Sequence, residues 1–328
     1  MPKHPHLSNP TIGLGCMNLS HAYGAPLTED AGIEALQAAF EMGYRHFDTA
    51  TLYGAGKNEM LVGIALKDRC NEFFLASKCG MEMVDGKRII NGRPENLRRQ
   101  CENSLKRLQT DHIDLYYLHR MDPDVPIEES VGALGDLVKE GKIGGIGLSE
   151  VSAEVVERAH KESPLTALQT EYSLWTRNPE IAVLETTKAL DITFVAFSPV
   201  ARGYLCGELT DVTTLVDTDI RKTMPRFSVE NYPKNIDLLQ DFLAMAKDIG
   251  CTPAQLALAW TRMKGEHIVP IPGTRSISHM RDNLHAGQLT LDSKKMILLD
   301  DIINQNNVFG SRYNLAQQAD VSTEMFDA

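Results

Sequence analysis

A (β/α)8 TIM barrel of eight parallel strands is the fold class this sequence predicts, and three observations carry that expectation. Eight short apolar runs recur along the chain, their starts about 20–40 residues apart except for a gap of about 75 before the last. A stretch of helical periodicity follows each run, the pattern of βα units on a parallel sheet. The first strand-to-helix turn reads Gly13-Leu14-Gly15-Cys16-Met17-Asn18. It lacks the third glycine of the G-x-G-x-x-G turn common in doubly wound sheets, so eight units in about 280 residues fit a closed barrel better. The expected organisation is one domain over residues 1–328, with a long loop after strand seven and a C-terminal extension.

The predicted strands occupy residues 11–15, 46–50, 73–79, 113–119, 143–149, 167–171, 193–199 and 268–273. After the first, Ile33, Leu36 and Phe40 recur at three- and four-residue steps; after the third, Leu97, Cys101, Leu105 and Leu108 do the same. Each series places one buried stripe on a helix. Pro94 suits the first turn of the second of these helices. Thr252-Pro253-Ala254-Gln255 combines an N-cap, a proline at the first helical position and a glutamine three residues on, while Gly250 stops the helix before it. Residues 201–234 are rich in Thr, Asp, Pro and Arg without a clean period, and their length marks a functional loop or lid.

Composition narrows the function classes. Hydrophobic residues make up 43% and charged residues 23%, ordinary globular values that exclude disordered and fibrous chains. Lys and Arg number 33 against 44 Asp and Glu, a net charge of −11, so a global basic footprint for nucleic acid is absent. No apolar run approaches the roughly 18 residues of a membrane span, and the first residues lack the apolar stretch of a secretory signal. Six cysteines without a C-x-x-C pair point to reduced thiols. The expectation is a soluble, cytoplasmic protein with no nucleic-acid or membrane partner and an open oligomeric state.

A barrel of this kind builds its active site at the C-terminal ends of its strands. Asp48 lies at the end of the second predicted strand, with Tyr53 five positions later in a Gly-containing loop. Lys78 ends the third strand and His119 the fourth. A lysine ending an apolar strand is costly to bury unless an acid pairs with it, and Asp48, one strand over, is the natural partner. Any one of these residues could be structural; four complementary groups on three consecutive strand ends make a proton donor. An ammonium ~4 Å from a phenol, at an effective dielectric of ~20, favours the phenolate by ~4 kcal/mol, so the expectation is a Tyr53 pKa drawn down toward neutrality. Asp48 would keep Lys78 charged, and His119 would orient a substrate oxygen or relay a proton. Such an acid suits protonating an alkoxide as it forms from a carbonyl.

The order of motifs resembles the aldo-keto reductases over residues 11–307. The resemblance rests on Gly43-Tyr44-Arg45-His46-Phe47-Asp48-Thr49-Ala50 with Tyr53-Gly54 and Glu59, on Leu75-Ala76-Ser77-Lys78 and on Arg107-Leu108. It continues through Asp114-Leu115-Tyr116-Tyr117-Leu118-His119, Gly141-Lys142-Ile143-Gly144, Ser198-Pro199 with Arg202-Gly203, and Ile271-Pro272-Gly273-Thr274-Arg275. Gly147-Leu148-Ser149-Glu150-Val151 and Pro225-Arg226-Phe227 look most like the branch of plant perakine reductases and auxin-induced-protein-like reductases. The resemblance implies an NADPH-dependent reductase of small aldehydes or ketones, with Tyr53 as general acid supported by Lys78, Asp48 and His119. It implies that Ser149, Glu150 and Gln169 bind the nicotinamide carboxamide. Position 150 is commonly Asn in other branches; a carboxylate can accept from the carboxamide NH2 but cannot donate to its oxygen. Phe197 stands where an aromatic ring, often Tyr, stacks on the nicotinamide.

Cofactor phosphates need backbone amides and positive charge. Ser198, Pro199, Arg202 and Gly203 fit a pyrophosphate strap after strand seven. Gly273, Thr274 and Arg275 after strand eight fit a clamp on the adenosine 2′-phosphate, with His279, Asp282 and Asn283 on the next helical turn. Other members often carry Arg where His279 stands. Arg275 favours NADP(H) over NAD(H), although taken alone it could equally be a solvated surface charge.

Three signals compete with this reading and are set aside. Tyr53 and Lys57 have the Tyr-x3-Lys spacing of short-chain dehydrogenases, but the intervening Gly54 and Gly56 oppose the helix that pairing needs. Asp122 and Asp124 in a Pro-rich loop are solvated acids rather than metal ligands, and His4-x-His6 is a terminal segment; no metal site is expected. Two other functions share the fold: a nucleotide-binding regulatory subunit of the potassium-channel β type with slow turnover, and a lyase using Lys78 as a Schiff-base amine. An Asp-paired ammonium is a poor amine, which disfavours the lyase.

Overall fold

The structure is a computed structural model that describes residues 5–7, 11–20 and 22–326. Among these residues the strands in chain order are β1 (Leu14–Gly15), β2 (His46–Asp48), β3 (Phe74–Cys79), β4 (Met81–Val84), β5 (Lys87–Ile90), β6 (Leu115–Leu118), β7 (Ile146–Ser149), β8 (Leu165–Glu171), β9 (Thr193–Phe197) and β10 (Ile268–Ile271). Strands β4 and β5 pair as an antiparallel hairpin, and the other eight are parallel neighbours in chain order. The sheet closes where Gly13 donates to the Pro270 carbonyl at 3.0 Å, Gly15 donates to Pro272 at 3.1 Å, and Gly15 bridges Gly273. A Cβ on Gly15 would lie 2.9 Å from the Ile271 carbonyl oxygen, so this approach requires glycine. The result is the predicted (β/α)8 barrel.

Side chains alternate across a strand, and that parity decides what fills the barrel. Phe74 and Ala76 of β3, Leu115 and Tyr117 of β6, Ala167, Val195 and Ile271 form one buried cluster inside it, with Leu7 packed among them. Residues of opposite parity, among them Leu75, Tyr116, Leu118, Leu148, Leu168 and Phe194, are buried with the apolar faces of the helices. Burial on both faces makes these strands read as continuous apolar runs. The inward parity continues upward to Lys78, His119, Gln169 and Phe197. The top layer of the interior is therefore the polar one.

Several local expectations meet the structure directly. Helix Glu29–Met42 is capped by Thr28 and ends at Gly43 with φ 110°. Helix Pro94–Leu108 starts at its proline, and helix Pro253–Met263 opens with the Thr252/Gln255 capping box. The ladders are shorter than the apolar runs: the predicted strands from 113 and 143 form regular pairs only from Leu115 and Ile146, with Ile113 and Ile143 joined by one isolated bridge. An apolar run reports burial, and burial extends past the hydrogen-bonded ladder.

The region after β9 is more ordered than a period-free sequence implies. It folds into short 3-10 turns at Ala201–Cys206, Val212–Thr214, Ile220–Thr223 and Pro225–Phe227, and helix Tyr232–Ile249 begins earlier than the predicted loop ends. Pro233 in that helix's first turn is compatible with helix, not with its termination. Tyr204 stacks on Trp175 with ring centroids 4.0 Å apart, and Phe227 stacks on Tyr232, which pins the segment to the barrel. The C-terminal residues fold back over the strand ends, where Ser322 donates to the Glu150 carbonyl at 3.1 Å and Arg312 and Tyr313 are buried. Among the described residues, no helix is long and apolar enough to cross a membrane.

Candidate active site

Register places the tetrad. In the β2–β3 pair Asp48 is in register with Ala76, and Lys78 follows two residues on with the same inward parity. Lys78 Nζ donates to Asp48 Oδ1, to the Thr49 carbonyl at 2.9 Å and to the Tyr53 hydroxyl oxygen at 3.2 Å. Lys78 and Asp48 are 1% and 2% exposed, which leaves the pair essentially out of water. Burial alone would strip the lysine's proton, but Asp48 and Tyr53 outweigh it and hold its pKa above the ordinary value. Gln169 of β8 donates to the second Asp48 oxygen at 2.7 Å.

Tyr53 reaches this pair from a turn whose next three residues, Gly54, Ala55 and Gly56, all have positive φ of 57°, 54° and 88°. Lys57 begins the following helix, so Tyr53 and Lys57 share no helical face. The turn is braced from behind. Asn58 accepts from Thr49 at 2.7 Å and donates to the Cys16 carbonyl, and the fully buried Glu59 takes Ser77 and Arg107 at 2.5 and 2.6 Å. Arg107 also reaches the hydroxyls of Thr51 and Ser104. Sequence reasoning quoted Glu59 and Arg107 only as motif residues, and their bracing role was not legible there.

The expected downward pull on Tyr53 is corrected by its surroundings. Burial raises its pKa and Lys78 lowers it, and burial wins, so the phenol stays above its ordinary value. The expectation treated the ammonium alone, without the loss of water around the phenol. His119 is the mirror case: burial first, then the charges of Arg120, Lys78 and Arg88, hold it well below the usual range and leave a neutral imidazole. Its ring meets the Tyr53 ring edge-on, centroids 5.9 Å apart, and its buried Nδ1 makes no hydrogen bond.

These groups border a cavity of about 990 Å³ at the strand C-termini. Asp48, Tyr53, His119, Ser149, Gln169 and Phe197 line one end. Ser198, Pro199, Arg202 and Gly203, then Gly273, Thr274, Arg275, His279, Asp282 and Asn283, line the rest. Lys78 lies behind the wall. Ser276 caps helix Ile277–His285 by accepting from His279, and residues 252–254 at the start of helix Pro253–Met263 also reach the cavity. The sequence showed that second helix start without showing where it points. Arg275 donates to the Ala25 carbonyl, which ties the β1 loop to the end of β10. Asp122 accepts from the backbone of Gly92 and Asp124 at 2.9 Å each and serves its own loop; His4 lies outside the described residues.

Glu150 departs from its expected place. Its carboxylate accepts from the Glu171 amide at 2.8 Å and from Arg312, and it does not line the cavity. Ser149 pairs with the inward-facing Gln169, so residue 150 has the opposite parity, and it adopts φ 59°. Arg312 donates also to Glu171 at 3.2 Å, and Arg202 to Glu171 at 2.6 Å. Burial raises the Glu171 pKa, but Arg202 and Arg312 overwhelm it and hold the group at about 2. No spacing rule connects residue 150 to residue 312. The hairpin β4–β5, whose Met81 and Arg88 also line the cavity, did have a signal: Asp85-Gly86 between alternating residues is a two-residue turn, and both take positive φ.

The chain matches the Aldo/keto reductase family over residues 11–304. A relative named "Probable aldo-keto reductase 1" from Glycine max is 44% identical over 306 residues, covering 92% of this chain and 88% of that protein. A glycerol dehydrogenase from Gluconobacter oxydans has a similar structure, with TM-score 0.82, 27% identity and coverage of 89% of this chain and 90% of that one. An aldo/keto reductase from Klebsiella pneumoniae, solved in complex with NADP and acetate, gives TM-score 0.70 at 27% identity over 93% of this chain and 95% of that one. By sequence over nearly its whole length, and by fold, the chain belongs to the aldo/keto reductase family.

Proposed function

We propose that this protein reduces aldehydes or ketones to alcohols with NADPH, and that Tyr53 delivers the proton. The observation that carries the reading is the Lys78 hydrogen bond to the Tyr53 oxygen at the cavity wall. Because the phenol oxygen accepts from Lys78, its own hydrogen is free to point at a substrate oxygen. A Tyr held above its ordinary pKa keeps that proton at neutral pH, and Lys78 stabilises the phenolate left after transfer. Neutral His119 orients the carbonyl oxygen beside Tyr53.

The residues present fit the cofactor. The cavity is long enough to run from the tetrad to two helix N-termini, which favour phosphate through unpaired amides and the helix dipole. Ser149 and Gln169 would hold the nicotinamide carboxamide, Phe197 would offer its ring face, and residues 198–203 would strap the pyrophosphate. Arg275, with Ser276 and Asn283, would take the 2′-phosphate, which favours NADP(H) over NAD(H). Glu150 is left out of this set because Arg312 occupies it. NADPH, when bound, supplies the hydride. Relatives solved with NADP and with NADPH support this choice.

The test is a panel of aldehydes, ketones, quinones and sugars, following NADPH consumption and alcohol formation together. Reduction of panel members by wild type, lost in Tyr53→Phe, is the expected result. NADPH that binds but is consumed by no panel member would replace this reading with a nucleotide-binding regulatory one.

A further inference from the structure

Charge at the tetrad end of the cavity is not balanced. Among the described residues, the cavity arginines Arg88, Arg202 and Arg221 each pair with a carboxylate: Asp320, Glu171 and Asp219. Arg120, bonded to the His119 carbonyl, and Arg275, bonded to the Ala25 carbonyl, have no such partner. Arg275 is already accounted for by the cofactor phosphate. In a chain of net charge −11, an arginine beside the catalytic histidine without an acid is a feature that needs a ligand.

Arg120 is also held in place. One terminal nitrogen donates to the His119 carbonyl at 2.6 Å and to the Ser149 hydroxyl at 3.2 Å. Its Nε and its other terminal nitrogen make no hydrogen bond within the protein among the described residues, which leaves two donors unused on a partly buried guanidinium that lines the cavity. Two donors in a rigid plane match the two oxygens of a carboxylate. With Lys78 matched by Asp48 and Arg88 by Asp320, one positive charge near His119 remains uncompensated. That suits a monoanion and would leave a phosphate dianion short of charge.

We infer that Arg120 anchors a carboxylate of the substrate, so that the preferred substrates are carbonyl compounds that also carry a carboxylate group. The inference rests on the reductase reading above. Arg120 binds the far end of the molecule, and the tetrad receives its carbonyl.

The probes are 4-carboxybenzaldehyde and its neutral methyl ester, which present the same aldehyde with and without the anion. Wild type should prefer the acid in kcat/KM. In Arg120→Gln the acid-to-ester ratio should fall by roughly ten- to a hundredfold, with the loss in the KM of the acid, as expected for one charge-assisted contact. Arg120→Lys keeps the charge and should keep more of the ratio than Arg120→Gln. Benzoate binding to the NADPH-loaded protein, followed by fluorescence, should weaken in parallel. Acid and ester reduced equally by wild type, or affected equally by Arg120→Gln, would overturn the inference while leaving the reductase reading standing. An equal loss accompanied by weaker NADPH binding would assign Arg120 to holding Ser149 for the cofactor. Failure of both probes and of the wider panel would instead remove the reductase reading itself.

Discussion

The ammonium of Lys78 donates to the hydroxyl oxygen of Tyr53 across 3.2 Å, while the same nitrogen is held by Asp48 and the Thr49 carbonyl. Three acceptors around one buried lysine leave it no freedom. Its hydrogen bond to Tyr53 spends the phenol's lone pair and not its proton, so the tyrosine remains a donor toward the cavity.

Tyr53→Phe removes the hydroxyl that carries that proton and, with it, one acceptor of Lys78. In NADPH-dependent reduction, kcat should fall at least about a hundredfold, while NADPH affinity by fluorescence titration stays close to wild type. Reduction at the wild-type rate by a folded Tyr53→Phe protein would end the assignment.

Lys78→Met removes the charge that lowers the tyrosine pKa against burial. With protonated Tyr53 as the proposed acid, activity should be lost as pH rises through the Tyr53 pKa. The residual activity of the variant should therefore persist to higher pH than that of wild type. The change also strands Asp48, at a cost of about 3–5 kcal/mol measured by denaturant unfolding. An unchanged pH profile with full activity would contradict the electrostatic role.

His119 should stay neutral across the working range. Its folded pKa lies well below the ordinary histidine value, so on acidification the unfolded chain takes up a proton that the folded chain refuses. Stability from this group is complete above about pH 6.5 and declines below it, by about 1.4 kcal/mol per unit until the folded pKa is reached. Proton NMR should show no His119 titration between pH 6 and 8, and His119→Asn should flatten the loss of Tm below pH 6.5.

Arg312→Ala takes the guanidinium from Glu150 and one of the charges that hold Glu171 ionised. Breaking a buried ionic network of this kind costs about 3–5 kcal/mol. Proteolysis within residues 311–326 should quicken before the barrel itself is cut. Glu171, held at about 2 against an ordinary 4.5, gives stability that is present above pH 4.5 and lost as pH falls toward 2. Glu171→Gln should lose that acid dependence, read as Tm against pH.

Arg275→Ala tests nucleotide choice. NADPH should bind roughly ten- to a hundredfold more weakly, with NADH nearly unchanged, since NADH has no 2′-phosphate. Equal losses for the two would mean that the Arg275 contact to Ala25 holds the β1 loop and does not read the phosphate.

The sequence by itself pointed to the barrel and to Asp48, Lys78 and His119 at the ends of its strands, while Gln169 and Phe197 entered only through the family resemblance. The barrel and its strand ends follow from short apolar runs alternating with stretches of helical periodicity, which are local properties of the chain. Asp48 opposite Lys78 was also legible, because a lysine ending a buried strand must meet an acid and adjacent strands are neighbours. Only the tertiary structure decided the rest. The rise in the Tyr53 pKa comes from water excluded by residues scattered along the chain, a sum that no motif encodes. Glu150 looked like a cofactor contact until Arg312 arrived from the far end of the chain to neutralise it. Whether an arginine is paired or free depends on which acids the fold brings near. Arg120 and Arg202 carry the same charge in the sequence, and the fold gives a carboxylate to one and an open cavity to the other.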